Sequence, residues 1–120
     1  MSANSTGEKD LWKKIKKGDP EAKEYFLRSN FKLVHSICLK FTNHFSFEYD
    51  DLFQEGCIGL YNAIDKYDPG YGTSFATFAV PFILGEIRNY YKKQIKENYG
   101  IDAKIFFSIK KTRNRFLQKH

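Results

Sequence analysis

The residues best suited to binding chemistry lie in one segment, Thr73 to Lys93, with the sequence TSFATFAVPFILGEIRNYYKK. At about 100° per residue in an α-helix, Phe78 and Phe82 share a face with Asn89 and Lys92. A buried helix does not normally bury amide and ammonium groups without partners. The combination therefore indicates a surface that stacks flat rings and meets phosphates, although a Phe pair at i, i+4 is also typical of ordinary core packing.

The other side of this predicted helix is apolar. It is expected to face the core through Ala76, Ala79, Ile83, Ile87 and Tyr90. Thr73 is the predicted cap of the helix. Pro81 removes one backbone hydrogen bond and costs about 3 kcal/mol in a regular helix interior, so we predict a kink between Phe78 and Phe82 that changes how the two rings splay.

Helical periodicity recurs along most of the remaining chain, and no strand-like alternation or internal repeat is present. The prediction is therefore an all-α fold, a compact bundle of four to five helices with a short basic C-terminal helix. Residues 1–9 are expected to be disordered, residues 10–97 to form the helical domain, and residues 98–120 to be a linker and the beginning of a following helix.

Helix boundaries follow from turn and capping residues. Gly18 is predicted to end a first short helix, and Asp19 with Pro20 to start the second. A loop is expected at 42–47, Asp50 is the predicted N-cap of a helix reaching Lys66, and Ser108 that of the last helix. Within the helix that ends at Lys66, Gly56 and Gly59 would let a neighbouring helix approach closely despite their cost in helix propensity.

Composition excludes several classes of function. The N-terminus has no apolar segment of the signal-peptide type, and the longest mainly apolar run, 75–85, is about half of what a bilayer crossing needs. We therefore expect a cytoplasmic protein without a membrane partner. Cys38 and Cys57 are expected to be buried free thiols, and neither they nor the three histidines have metal-ligand spacing. No catalytic constellation, metal site or cofactor site is predicted, so the protein is not expected to be an enzyme.

Charge is distributed unevenly along the chain. Residues 1–87 contain ten Lys/Arg and twelve Asp/Glu, a net charge of −2, whereas residues 88–120 contain ten and two, a net charge of +8. Such a basic C-terminal quarter favours contact with a polyanion at one end of the protein, with a merely solvated basic face as the alternative.

Three segments resemble region 2 of the bacterial RNA polymerase sigma factors of the sigma-70 family. They are LVHSICLKF from Leu33, DDLFQEGCIGLYNAIDKYDP from Asp50 and SFATFAVPFILGEIRNY from Ser74. The AVP and GEI tripeptides are most similar to the branch that includes sporulation and general-stress sigma factors. The resemblance also takes in part of region 1.2 and the start of region 3.

The resemblance implies two partners. The helix from Asp50 would dock on core RNA polymerase, at the clamp coiled coil of the largest subunit, through Asp51, Gln54, Glu55, Cys57, Ile58 and Tyr61. Simple capping and solvation of the carboxylates is the alternative. The helix from Ser74 would take bases from the non-template strand of the promoter −10 element and so help to melt the DNA.

The resemblance also assigns the DNA contacts. Phe78 and Phe82 match aromatic positions that wall the pocket for a flipped adenine, with Phe75, Thr77 and Gly85 on or beside the same helix face. Arg88 and Asn89 match positions that face the last paired step, and Lys92 and Lys93 would hold phosphates. A second pocket, for a later base of the same strand, would be formed by Asn30, Lys32, Leu33 and Ala76.

Two departures from the family pattern keep alternatives open. Primary sigma factors carry adjacent Trp residues where this chain has Pro81 and Phe82, which implies weaker melting. The sequence also ends at His120 without a helix-turn-helix for the −35 element, so it is expected to be either a fragment or a stand-alone region 2. The alternative functions are a regulator that binds polymerase or an anti-sigma factor without its own −35 recognition domain, and a basic RNA-binding protein.

Overall fold

The computed structural model describes residues 5–44 and 48–119 as helices joined by short turns. No β-strand occurs among these residues, which agrees with the predicted all-α class. They form α1 Ser5–Lys16, α2 Pro20–Ser29, α3 Phe31–His44, α4 Tyr49–Lys66, α5 Phe75–Tyr99 and α6 Ala103–Lys119. A single 3-10 turn, Pro69–Tyr71, lies between α4 and α5 within this part of the chain.

Several predicted boundaries are found in the structure. Gly18 has a φ angle of 88°, which a residue with a Cβ rarely adopts, and it ends α1 as expected. The Asp19 carboxylate accepts hydrogen bonds from the backbone N–H groups of Glu21 at 3.0 Å and Ala22 at 3.3 Å. Gly100, with a φ of 68°, separates α5 from α6.

Three helix starts differ from the prediction: α5 and α6 are capped by another polar side chain, and α4 begins without a side-chain cap hydrogen bond. Glu48 occupies the N-cap position of α4, so Asp50 lies in the first turn, where its charge suits the positive end of the helix. Ser74, rather than Thr73, caps α5 by accepting the Thr77 N–H at 3.2 Å. Asp102, rather than Ser108, caps α6 by accepting the Lys104 N–H at 2.8 Å.

The start of α1 and the end of α3 also differ from the prediction. α1 begins at Ser5, so residues 5–9 are helical where polar composition had predicted disorder. α3 continues to His44, which shortens the loop predicted at 42–47. The remainder of those two predictions concerns residues 1–4 and 45–47, which lie outside the described residues.

The chain divides into two compact units, residues 1–87 and residues 88–120. The division falls within α5 and coincides with the change in net charge found in the sequence. In the first unit, the predicted core face of α5 is confirmed at Ala79, Ile83 and Ile87, each with 0% exposure, whereas Ala76 is exposed. α5 runs through Pro81 without interruption. Ile95 and Ala103 are buried in the second unit.

Candidate functional site

Three aromatic rings form a partly exposed surface on the first unit. The Phe78 and Phe82 ring centroids lie 5.1 Å apart with an interplanar angle of 38°. Tyr71 continues the row, with its centroid 5.8 Å from that of Phe78. Both Phe rings are half-buried and Tyr71 is 58% exposed. We call Tyr71, Phe78 and Phe82 the aromatic surface; partly exposed aromatic rings can stack a planar base.

A second, buried group of rings supports this surface. We call it the aromatic cluster: it contains Trp12, Phe26, Tyr67 and Phe75, all at most 9% exposed. Tyr67 joins the two groups, since its ring centroid lies 5.3 Å from that of Phe78 and 5.3 Å from that of Phe75. Phe75 was predicted beside the DNA-contacting residues, but its 7% exposure leaves no ring face for a base.

The turn between α4 and α5 places Tyr71. The Asp68 carboxylate accepts the Gly70 N–H at 2.9 Å, and the Tyr71 N–H donates to the Asp68 carbonyl at 2.9 Å. Gly72 follows with a φ of 84°, a left-handed conformation that favours glycine. Tyr67 fixes the far side of the turn by donating its hydroxyl hydrogen to the Thr73 carbonyl.

The other first-unit residues predicted to contact DNA lie on α5, at the C-cap of α2 and in the first turn of α3. Thr77 is exposed, and its hydroxyl accepts a hydrogen bond from Ser74 at 2.9 Å. A Cβ at Gly85 would meet no atom within 4 Å, so this part of α5 is open. The Asn30 side chain caps α2 by donating to the Phe26 carbonyl at 2.8 Å. Lys32 and Ala76 are exposed and Leu33 is half-buried.

The second unit carries its own basic surface. Its four predicted DNA-contacting residues, Arg88, Asn89, Lys92 and Lys93, are all exposed. A groove of 790 Å³ in this unit is lined by Lys92 and Lys93 together with Lys96, Lys104 and the rings of Tyr91 and Phe107. The acidic groups on the groove are Glu97 and Asp102. Lysines therefore outnumber carboxylates, as binding of phosphates requires.

The outward side of α4 combines carboxylates with exposed apolar groups. Asp51 and Gln54 are exposed and Glu55 is half-buried. Ile58 and Tyr61 are large hydrophobic side chains that are nevertheless 49% and 42% exposed. We call the predicted polymerase-contacting set, which also includes Cys57, the acidic-apolar face. Such a face suits a protein partner that presents basic and apolar side chains.

Lys23 of α2 contacts the C-terminal end of the acidic-apolar face. Lys23 of α2 forms a salt bridge with Asp65 at 2.7 Å, and its ammonium lies 5.5 Å from the centre of the Tyr61 ring. The Asp65 partner raises the pKa of Lys23. The ammonium is therefore charged at neutral pH, and it contacts Tyr61 from the α2 side.

The sequence of this chain matches a known protein family. Residues 26–97 match the model of Sigma-70 region 2, which is more than half of the chain. The chain belongs to the sigma-70 region 2 family. The matched range contains the aromatic surface and the acidic-apolar face, and it includes the residues on which the resemblance was based.

Curated relatives of this region 2 chain are longer proteins. The RNA polymerase sigma-F factor of Priestia megaterium is 45% identical over 82 residues, which cover 68% of this chain and 32% of that protein. The sigma-G factor of Clostridium acetobutylicum is 35% identical over 117 residues, 93% of this chain and 44% of that protein. The chain therefore spans less than half the length of these relatives.

Two residues of the candidate site were not predicted from the sequence. Tyr71 was given no role, yet it extends the aromatic surface. Lys66 was treated as a helix end, although its ammonium lies 5.7 Å from the centre of the Phe82 ring, within cation–π distance. The signal in the sequence is Asp68-Pro69-Gly70, which predicts a turn but not the direction of the Tyr71 ring.

The cysteines of this region 2 domain behave as structural thiols. Cys38 is buried, and burial together with the nearby Cys57 raises its pKa to about 11. Burial also raises the pKa of Cys57. Both groups are therefore protonated at neutral pH and poor nucleophiles. Among residues 5–44 and 48–119, no cluster of His, Cys, Asp and Glu could hold a metal, and no helix has the length and hydropathy needed to span a membrane.

Proposed function

We propose that this chain is the promoter-recognition domain of a sigma factor. In this proposal it binds core RNA polymerase and captures bases from the non-template strand of the −10 element, which helps to melt promoter DNA. The observation that carries the proposal is the aromatic surface, three neighbouring rings that stay partly exposed in a region 2 domain. An ordinary core pair would bury those rings.

Stacking energies make strand capture feasible without ATP. Each base that stacks on an aromatic side chain contributes about 1–3 kcal/mol. Unpairing a base costs a few kcal/mol, so two or three stacked contacts can offset one or two opened pairs. Since Phe82 stands where primary sigma factors have a Trp, we expect weaker melting and a stronger dependence on promoter sequence.

Cationic groups would hold the DNA backbone. In the second unit, Arg88, Asn89, Lys92 and Lys93 are proposed to contact phosphates and the adjoining paired DNA. Each phosphate contact makes affinity salt-dependent because counterions are released on binding.

The acidic-apolar face of α4 is the proposed polymerase contact. The partner would be the clamp coiled coil of the largest subunit, with Ile58 and Tyr61 supplying buried apolar area and Asp51 and Glu55 pairing with basic residues. Exposed Ile and Tyr side chains at the centre of a helix face are typical of protein contacts. An anti-sigma factor would compete for this face, which would hold the domain inactive.

The experiment compares two variants in two assays. Phe82→Ala should weaken binding to a single-stranded −10 oligonucleotide about tenfold, the loss of one stacked base, and leave core polymerase binding unchanged. Glu55→Lys should do the reverse, because it places a cation against a basic partner. Both assays are run with the chain alone and in the presence of core polymerase, by fluorescence anisotropy and by pull-down.

The controls separate this proposal from its alternatives. Absence of oligonucleotide binding in either condition would favour a regulator that binds polymerase only. Equal loss of both activities in Phe82→Ala would indicate that Phe82 is a core residue. Equal affinity for an unrelated RNA would indicate a general nucleic-acid-binding protein.

A further inference from the structure

Gly59 of α4 lies directly against the backbone of α5 at Phe82. A Cβ atom at position 59 would lie 2.3 Å from the Phe82 carbonyl oxygen, 2.7 Å from its carbonyl carbon and 2.8 Å from the Ile83 Cα. Real Cβ atoms do not approach backbone atoms so closely. Backbone, unlike the far end of a side chain, cannot rotate away, so any larger residue at position 59 would push α5 outward at Phe82.

Gly56, one turn earlier, differs in what it contacts. A Cβ there would meet three side-chain atoms, from Val34 at 2.6 Å, Ile83 at 3.4 Å and Ile87 at 3.5 Å. The closest of these atoms belongs to Val34 of α3, a buried and stiff β-branched side chain, so a methyl group at position 56 would press on α3 rather than on the α5 backbone. Both glycines lie in α4. Of the two, Gly59 is the one that faces the α5 backbone, so it determines the distance between the α4 and α5 backbones.

Lys66, also on α4, contacts the ring of Phe82. Its ammonium lies 5.7 Å from the Phe82 ring centre, and the Phe78 ring centroid lies 5.1 Å from that of Phe82. Lys66 is seven residues after Gly59, which at about 100° per residue places the two on the same side of α4. One side of α4 therefore contacts both the backbone and the ring of Phe82.

We infer that Gly59 and Lys66 are positioning residues for base capture. Gly59 sets how far the Phe82 backbone stands from α4, and Lys66 restricts the direction of its ring, so that the ring stays in line with Phe78. This inference rests on the proposed function, because it assigns a role to Phe82 as a base-stacking residue. It adds that α4, whose acidic-apolar face is proposed to bind polymerase, also fixes the ring that contacts DNA.

Double-mutant cycles with Phe82 test this inference. Gly59→Ala and Lys66→Met should each weaken binding to a single-stranded −10 oligonucleotide about fivefold or more, with unchanged core polymerase binding. In a Phe82→Ala background, neither change should weaken binding further, because a residue that acts through Phe82 has no effect once the ring is gone. A purely structural role, or a phosphate contact by Lys66, would lower affinity equally in both backgrounds and would overturn the inference.

Two matched controls accompany these variants. Gly56→Ala adds the same methyl group to the same helix, and Lys40→Met removes one exposed positive charge from α3. Both should bind the oligonucleotide within about twofold of the unmodified chain, and an equal loss in the controls would contradict the inference.

The remaining outcomes are also distinguishable. If Gly59→Ala does not fold while Gly56→Ala does, Gly59 serves the fold and its positioning role is refuted, while the exposed Lys66 still tests the second contact. If Phe82→Ala itself binds the oligonucleotide normally, the proposed function fails together with the inference. If only the Gly59 and Lys66 effects are missing, the inference alone fails.

Discussion

The aromatic cluster and the aromatic surface contain the same kinds of residues but differ in what covers them. The cluster contributes Trp12, with ring centroids 4.6 Å from Phe26 and 4.9 Å from Tyr67, and these rings are buried. The surface is its direct continuation through Tyr67 and Phe78. Residue type alone therefore does not separate a group that stabilises the fold from one that is available for binding; coverage does.

Coverage follows from where the rings originate in the chain. The cluster draws its rings from α1, α2, the residue after α4 and the first residue of α5, so several elements enclose it. The surface draws its rings from the 3-10 turn and one side of α5. Rings supplied from so few elements are covered less completely, so Tyr71 is 58% exposed and Phe78 and Phe82 are only half-buried.

The largest expected effect comes from the cluster. Phe75→Ala should lower the free energy of unfolding by about 3–5 kcal/mol, since it removes a buried ring from between Trp12, Phe26 and Tyr67. Urea denaturation followed by circular dichroism measures the change, and Phe75→Leu, which retains most of the volume, should lose much less. Normal stability of Phe75→Ala with reduced oligonucleotide binding would instead place Phe75 in the surface.

Removing a ring of the aromatic surface should instead weaken DNA binding and leave the free energy of unfolding nearly unchanged. Tyr71→Ala should weaken single-strand binding by about 1–3 kcal/mol, the value of one stacked base, because its ring is 58% exposed beside Phe78. Its free energy of unfolding should change by less than about 0.5 kcal/mol, as for most surface substitutions.

Tyr71→Phe is the matched control, since it retains the ring and removes only the hydroxyl. Anisotropy titration with the −10 oligonucleotide should give nearly unchanged affinity for this variant. A loss as large as that of Tyr71→Ala would mean that the hydroxyl, rather than the ring, contacts DNA.

Helical periodicity predicted well which α5 residues lie on the same side of the helix, but it predicted poorly which of them are buried. The buried positions Ala79, Ile83 and Ile87 follow at intervals of four, and extending that series backward gives Phe75. Ala76 was instead predicted in the core face, and Phe75 beside the expected DNA contacts. A helical wheel shows which residues share a side, but whether α1 and α2 pack over the first turn depends on tertiary contacts far away in the sequence.

The candidate site was predictable where it depended on local pattern or family resemblance. Gly59 was expected to allow close helix approach, and the structure shows that its neighbour is the Phe82 backbone. Lys66 and Tyr71 were missed because their roles depend on how the turn after α4 folds back toward α5. Turn geometry of this kind rests on a few hydrogen bonds, such as that from Tyr71 to the Asp68 carbonyl, which sequence pattern does not specify.

The smallest expected effect lies at the junction of the two aromatic groups. Tyr67→Phe removes the hydroxyl that donates to the Thr73 carbonyl but retains the ring contacts with Phe75 and Phe78. Burial raises the pKa of Tyr67, so the hydroxyl is a protonated donor throughout the neutral range. The free energy of unfolding should therefore fall by only about 0.5–1.5 kcal/mol, as for a typical hydrogen bond.

Oligonucleotide binding by Tyr67→Phe distinguishes two roles for this hydrogen bond. If the bond contributes to stability alone, affinity for the single-stranded −10 oligonucleotide should stay within about twofold of the unmodified chain, because the ring that supports Phe78 is still present. A larger loss of affinity, measured well below the unfolding transition, would show that the bond also orders the turn that carries Tyr71. In that case the cluster and the surface would be coupled through Tyr67, and the separation between folding and binding residues would end at this position.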